Sequence, residues 1–252
     1  MSQVGSWEWA QRTGGRLGRA DRAELLRQGV LAQLSRLPEA MRRRVIGDAS
    51  PLDLPKPPDT ALAQAAEERV RELSKPPLYG HCLRTWAFAA LFAQRDRVDH
   101  DEELLYLACV LHDLGLTEAH DRRDPSAACF AVEGARAAHT LLCENRAPAD
   151  RARTVAEAIS LHLNIHVPDR YGPEAVLLSR GVMLDVVGRR RELMPKAAVS
   201  EVIARWPRPG SSELLLADTK RQAEVRPQAR AVLLHRLGFT KLVSANPLDR
   251  LD

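Results

Sequence analysis

Aromatic side chains make up only 4% of this 252-residue chain, and no segment alternates apolar and polar residues over a strand's length. That argues against a sandwich or barrel, whose strands depend on such alternation. Cysteine occurs four times, as Cys82, Cys109, Cys129 and Cys143, each alone in an apolar segment and without CxxC pairing. This pattern suits reduced, packed thiols better than a disulfide framework or a thiolate zinc site. No run approaches the roughly 18 apolar residues of a membrane span, so no membrane partner is expected. The stretch Met1 to Arg19 lacks the apolar core of a secretory signal, and the expected location is the cytoplasm. Lysine is scarce too: of 37 basic residues only Lys56, Lys75, Lys196, Lys220 and Lys241 are not arginine. The net charge is +4, but 33 acidic residues are interleaved with the arginines. The clusters Arg42–Arg44 and Arg189–Arg191 therefore read as solvated helix ends, and no nucleic-acid partner is expected.

What the chain does contain is helix. Hydrophobic residues reach 45% against 28% charged, enough for a full core. The first quarter reads as irregular, because Pro51, Pro55, Pro57 and Pro58 break residues 48–58 into a linker or wrapping arm. Ala61–Leu73 is a strong helix that stops before Pro76-Pro77. Further helices are predicted over 81–95, 102–114, 127–144, 150–163, 173–190, 196–205 and 219–236. The expected architecture is all-α: an N-terminal arm and linker over 1–60, a helical core over 61–190, and a helical extension over 191–252 packed on that core.

Polar residues inside apolar helices carry the chemical information, because burying an unpaired charge is costly and burying a liganded one is not. His112 and Asp113 end the apolar run Leu104–Leu111. His81 opens another apolar helix, Asp185 interrupts Gly181–Val187, and His162 follows Ala158–Leu161. Each alone reads as a satisfied core residue. Together, two imidazoles and two carboxylates on separate helices can converge on one divalent ion in a bundle core. Nitrogen and oxygen donors suit zinc, iron or manganese. Such an ion acidifies a bound water and supplies a hydroxide nucleophile.

This pattern of His81, then His112-Asp113, then a distant Asp185 resembles the HD-domain metal-dependent hydrolase superfamily. The segments Leu78–Thr85, His112–Thr117 and Ala158–His162 are most similar to its cyanamide hydratase-like branch, and Ala245–Asp249 resembles that branch's closing segment. Gly80 departs from it, standing where asparagine is frequent. The resemblance implies an HD-domain helical bundle with His81, His112, Asp113 and Asp185 as metal ligands. Two-metal members carry another histidine four residues before a Gly-Ala pair; here Phe130 precedes Gly134-Ala135 at that distance. His139 lies on the opposite helix face from Phe130, so one ion per chain is expected. Phosphohydrolases of the superfamily often place lysine where this chain has Leu116. Without a second metal, His162 is left to act as general acid or base or to hold the substrate. Glu133 shares a face with Phe130 and could bring a carboxylate to the site. Arg84, one turn past His81, could orient Asp113 or Asp185 or bind an anion.

Other motifs fail. His162 and His166 have HxxxH spacing without the glutamate of a zincin. Gly14-Gly15 and Gly18 lack a preceding strand and a P-loop lysine. Ser211 and Ser212 read as helix caps. The expected function is therefore a hydrolase or hydratase using one divalent ion, zinc first, with iron or manganese as alternatives. Its metal-bound hydroxide would act on a small neutral nitrile-like or amide-like substrate in the apolar surroundings of Trp86, Leu116 and Phe130. The competing readings are an HD phosphohydrolase acting on a nucleotide or other phosphoester, and an idle helical ligand-binding module. A homo-oligomer is left open.

Overall fold

The computed structural model describes residues 2–34, 52–120 and 128–251, so the Arg42–Arg44 cluster and Pro51 lie outside the described residues. Among those described, every regular element is a helix. The first quarter is less irregular than its composition suggests. It holds α1 (Trp7–Thr13) and α2 (Arg19–Leu34). Helix α1 is capped by Ser6, whose Oγ accepts from the Trp9 amide at 3.2 Å, and stopped by Gly14 in the left-handed region. Residues 52–58 do run without regular structure. Helix α3 (Ala61–Leu73) matches its predicted bounds and starts from a Thr60 cap.

The central helix α4 (Pro76–Asp96) begins five residues earlier than expected. Pro76 and Pro77 occupy its first turn, where a missing N–H costs nothing because that donor has no partner within the helix. They start the helix that sequence reading places after them, and His81 falls in its second turn. From His81 to Ala93 every side chain is buried, so this helix is surrounded by others rather than laid on a surface. Its neighbours are α5 (Glu102–Leu111), with Leu104 to Leu111 all buried, and α8 (Pro173–Val187). Helices α6 (Phe130–Glu144) and α7 (Ala149–Leu161) pack against each other on the other side of α5.

Two close approaches place the polar residues. At Gly181 of α8 an added Cβ would lie 2.3 Å from the Thr85 carbonyl, so α8 rests directly on α4. One turn on from Gly181 is Asp185, and one turn back from Thr85 is His81; the contact thus brings these two side chains face to face. At Gly115, in the 3-10 turn Leu114–Leu116 that follows His112-Asp113, an added Cβ would lie 2.0 Å from the Phe130 carbonyl. The turn therefore seats the His-Asp pair against the start of α6.

After α8 come α9 (Lys196–Arg205), α10 (Ser211–Val225), α11 (Arg230–Arg236) and α12 (Phe239–Ser244). The predicted 219–236 helix is thus split in two. Pro227 lies in the break and cannot donate to a continuous helix. These C-terminal helices and the N-terminal segment share a second apolar cluster (Val4, Trp9, Leu17, Leu215, Leu233, Val243) that also takes in Leu116, Phe130 and Val186 of the central bundle. No helix among the described residues is long and apolar enough to cross a membrane.

Gly181→Ala and Gly115→Ala should each lower stability by about 2 kcal/mol or more, because backbone stands where the methyl would go and a helix must shift to admit it. Thermal melts check this. A loss below about 0.5 kcal/mol at Gly181 would show that α8 does not depend on the contact.

Candidate metal centre

His81, His112 and Asp113 form a buried group whose potential ligand atoms all lie within 4.8 Å of one another. The imidazoles are oriented by their far nitrogens. His112 Nδ1 donates to the Cys109 carbonyl at 2.7 Å, His81 Nδ1 donates to Asp185 Oδ2 at 2.6 Å, and His162 Nδ1 donates to the Ile159 carbonyl at 2.7 Å. With each Nδ1 proton committed, each neutral ring turns an Nε2 lone pair inward. His81 Nε2 and His112 Nε2 come within 3.2 Å of each other, and Asp113 Oδ2 lies 3.5 and 3.3 Å from them. Two lone pairs that close repel unless a proton or a cation sits between them. Buried imidazole nitrogens and a carboxylate are a donor set that fits a divalent ion. His162 Nε2 stands 3.6 Å from Asp113 Oδ1, at the rim of the group.

The charges are strongly coupled. Burial would push His112 down, but the adjacent Asp113 carboxylate outweighs it and raises the imidazole to about 9. His81 is raised too, against burial, by Asp113 and Asp185. His162 goes the other way, to about 3, through burial and the nearby His112 charge. Asp113 stays well below the ordinary carboxylate range because its histidine neighbours overcome desolvation.

Asp185 is placed differently from the expectation. It is fully buried, but it stands behind His81 rather than inside the ligand group. Oδ1 accepts from Arg84 Nε at 2.8 Å and from Arg208 Nη1 at 2.6 Å, and Oδ2 accepts from Arg84 Nη2 at 3.1 Å. Its oxygens are thus spent on two guanidiniums and on His81 Nδ1. This is the carboxylate–histidine arrangement that orients a metal-ligating ring from behind. Arg84 is spent as well. Its five N–H donors go to Asp185, the Trp206 and Pro207 carbonyls and Ser211 Oγ, so it is a positioning residue with no donor left for an anion. Ser211 and Ser212 are correspondingly not caps: Ser211 accepts from Arg84, and Ser212 donates to Asp249 Oδ2 at 2.8 Å.

Residues 78–202 match the HD domain family. The chain carries an HD domain. Cyanamide hydratases DDI2 and DDI3 of Saccharomyces cerevisiae are each 26% identical to it over 168 residues, which cover 65% of this chain and 73% of each yeast protein. The HD domain and these relatives together indicate a metal-dependent hydrolase or hydratase, similar to the cyanamide hydratases. The carboxylate, arginine and histidine network lies in and just beyond the HD domain. Arg208 and Asp249, paired at 2.7 Å, and Asn246, which donates to the Asp185 carbonyl at 2.7 Å, come from the C-terminal extension. Sequence reading missed Arg208, one of many arginines, because nothing local distinguishes it. It noted Ala245–Asp249 only through resemblance.

His81, His112, Asp113 and His162 open onto one cavity of about 120 Å³. Its remaining wall is mostly apolar, with Leu116, Phe130, Val186, Leu215 and Phe239 among the lining residues. Glu133 is not part of that wall. It lines a separate recess with Leu114, His120 and Arg136, 4.0 Å from His120 Nδ1. Three helical steps from Phe130 rotate it about 60° off the face that meets the cavity. Trp86 is also absent from the cavity and packs edge-on against Tyr106 and Trp206. His139 lies half-buried against the Trp7 ring, away from the cavity, and His166 is exposed on a different groove. Of the cysteines, Cys143 is exposed and the other three are buried thiols.

His81→Ala, His112→Ala and Asp113→Ala should each remove bound metal. Asp185→Asn should weaken it about 10- to 100-fold without abolishing it, the effect of losing a group that orients a ligand. Metal analysis after dialysis against graded chelator separates the two outcomes. Loss as complete in Asp185→Asn as in Asp113→Ala would make Asp185 a direct ligand.

Asp185 also predicts an acid limit. Despite its burial, Arg84, His81 and Arg208 hold it far below its ordinary value. A depressed folded-state value stabilises the fold above the unfolded carboxylate's pKa of about 3.9, and that stability is lost as pH falls through the folded value. Denaturant melts of wild type should steepen in their pH dependence below about pH 4, and Asp185→Asn should flatten that slope. Equal slopes would refute the assignment.

Proposed function

We propose that the protein hydrates a small neutral nitrile-like or amide-like compound, with one divalent ion, zinc first, held by His81, His112 and Asp113. The observation that carries the reading is the small, largely apolar cavity on which these groups and His162 converge. These residues would hold a divalent ion, which would lower the pKa of a coordinated water toward neutrality. The chain's own residues do the rest. Asp185 keeps the His81 ring turned with Nε2 inward, and the Cys109 carbonyl does the same for His112. His162 has its Nδ1–H committed to the Ile159 carbonyl and its Nε2 turned to the cavity beside Asp113, where it can take the proton of the attacking water and return it to the nitrile nitrogen. Hydration of a nitrile needs this transfer, since water adds across carbon and nitrogen and nothing leaves. Leu116, Phe130, Val186 and Leu215 limit both the water in the cavity and the size of what enters.

Two features support a neutral substrate over a phosphoester. Arg84 has no free donor, and Leu116 brings no charge to the wall. Arg189 is the single arginine among the lining residues and no lysine joins it, so a multiply charged phosphate would give up its hydration in a mostly apolar cavity for one guanidinium. Cyanamide, the compound named for the yeast relatives, is the first candidate.

The test is a comparison of kcat/KM for cyanamide and small nitriles against nucleotide monophosphates and generic phosphoesters on metal-loaded protein. The small neutral compounds should win. His162→Ala should keep its metal and lose about 10²- to 10⁴-fold in kcat, as expected for removal of a general acid or base. Phosphatase activity without any hydration would overturn the reading.

A further inference from the structure

Arg230 is 1% exposed, and among the described residues no carboxylate pairs with it. Its Nη1 donates to Asn164 Oδ1 at 3.0 Å, its Nη2 reaches Cys129 Sγ at 3.6 Å, and its guanidinium lies 5.4 Å from the Trp9 ring centroid. Its Nε has no partner. A guanidinium buried among neutral groups is expensive, and a well-packed apolar side chain of similar length would avoid that cost. What an apolar chain could not provide is the donor to Asn164.

That donor settles which way the Asn164 amide faces. With Oδ1 on Arg230, Nδ2 donates to the Val4 carbonyl at 2.6 Å, so both ends of the side chain are held. The N-terminal strap passes directly over it. Gly5 has φ +87°, and a Cβ there would lie 2.5 Å from Arg230 Nη1 and 2.7 Å from Asn164 Oδ1. Asn164 is 2% exposed and stands two residues after His162, in the turn that ends α7. His162, Leu163, Asn164 and Ile165 all line the cavity. The clamp therefore grips the stretch of backbone that carries the proton-transfer histidine and one cavity wall, and it does so with residues from both ends of the chain.

We propose that Arg230 is a positioning residue: acting through Asn164, it holds the turn after α7 so that His162 Nε2 faces Asp113. This rests on the role given to His162 in the proposed function. The His162 ring N–H, held by Ile159, should give an exchange-protected proton resonance in protein labelled with 15N-histidine, assigned by its loss in His162→Gln. In Arg230→Met and Asn164→Ala that resonance should shift or broaden while those of His81 and His112 remain. On cyanamide, kcat should fall about tenfold or more with metal content unchanged. Arg230→Lys, which keeps a donor, should recover part of both signals. Leu91→Ala, a cavity in the remote main core, serves as the control for simple destabilisation and should leave the resonance in place.

The proposal is overturned if Arg230→Met and Asn164→Ala match Leu91→Ala in the resonance. Should Arg230→Met not fold, Asn164→Ala carries the decision. If wild type turns over no small nitrile or amide, the proposed function fails, and the ring resonance still decides whether Arg230 positions His162.

Discussion

A single buried carboxylate holds this site together. Asp185 sits at zero exposure with Arg84 and Arg208 on its oxygens and His81 in front of it. None of these charges would be tolerable there alone, since removing one partner of a buried pair leaves the other uncompensated at a cost of about 3–5 kcal/mol. Each is therefore a condition for the others. Arg84 in turn gathers the Trp206 and Pro207 carbonyls, and Arg208 reaches Asp249. The orientation of one ligand histidine is thereby wired to the segment after α9 and to the end of the chain.

The cavity owes its character to where it lies. It opens between the central bundle and the second apolar cluster built from the two ends of the chain. The bundle supplies Asp113 and the histidines: His112 and His162 sit at helix C-termini, where a backbone carbonyl one turn back takes the Nδ1 proton, and His81 sits near the start of α4 with its Nδ1 proton on Asp185. The terminal pieces supply apolar wall, including Leu215 and Phe239, and two clamps: Arg208 with Asn246 on Asp185, and Arg230 with Val4 on Asn164. Chemistry and confinement thus come from different parts of the chain. The strap and the extension belong to the site as much as the helices that bear its donors.

Much of the helical framework was legible because buried helices announce themselves. The runs in α4 and α5 are apolar on every face, and α3 and α9 have clear stops, so their existence followed from periodicity and punctuation. The errors fell where one local signal supports two readings. Proline is compatible with the end of one helix and with the first turn of the next, and α4 took the second option. The first quarter looked irregular because its prolines dominate the composition, although Ser6 and Gly14 mark both ends of α1.

By itself the sequence determined that a histidine and an adjacent aspartate end one apolar helix, that a second histidine and a distant aspartate lie within two others, and that neither lysine nor a further histidine stands where phosphate or a second ion would need it. Residue type and helical spacing sufficed for the fold, whereas the meaning of Leu116 and Phe130 and the class of chemistry came through the resemblance to HD domains. Tertiary structure alone decided which groups face inward. Asp185 pairs with Arg84, Arg208 and the back of His81, Glu133 turns to another recess, and Trp86 stays in the core. Arg208 and Arg230, unremarkable among so many arginines, become clamps. The reason is geometric: a buried charge takes whichever partners the packing brings within about 3 Å, and those partners come from segments as far as 127 residues apart in the chain.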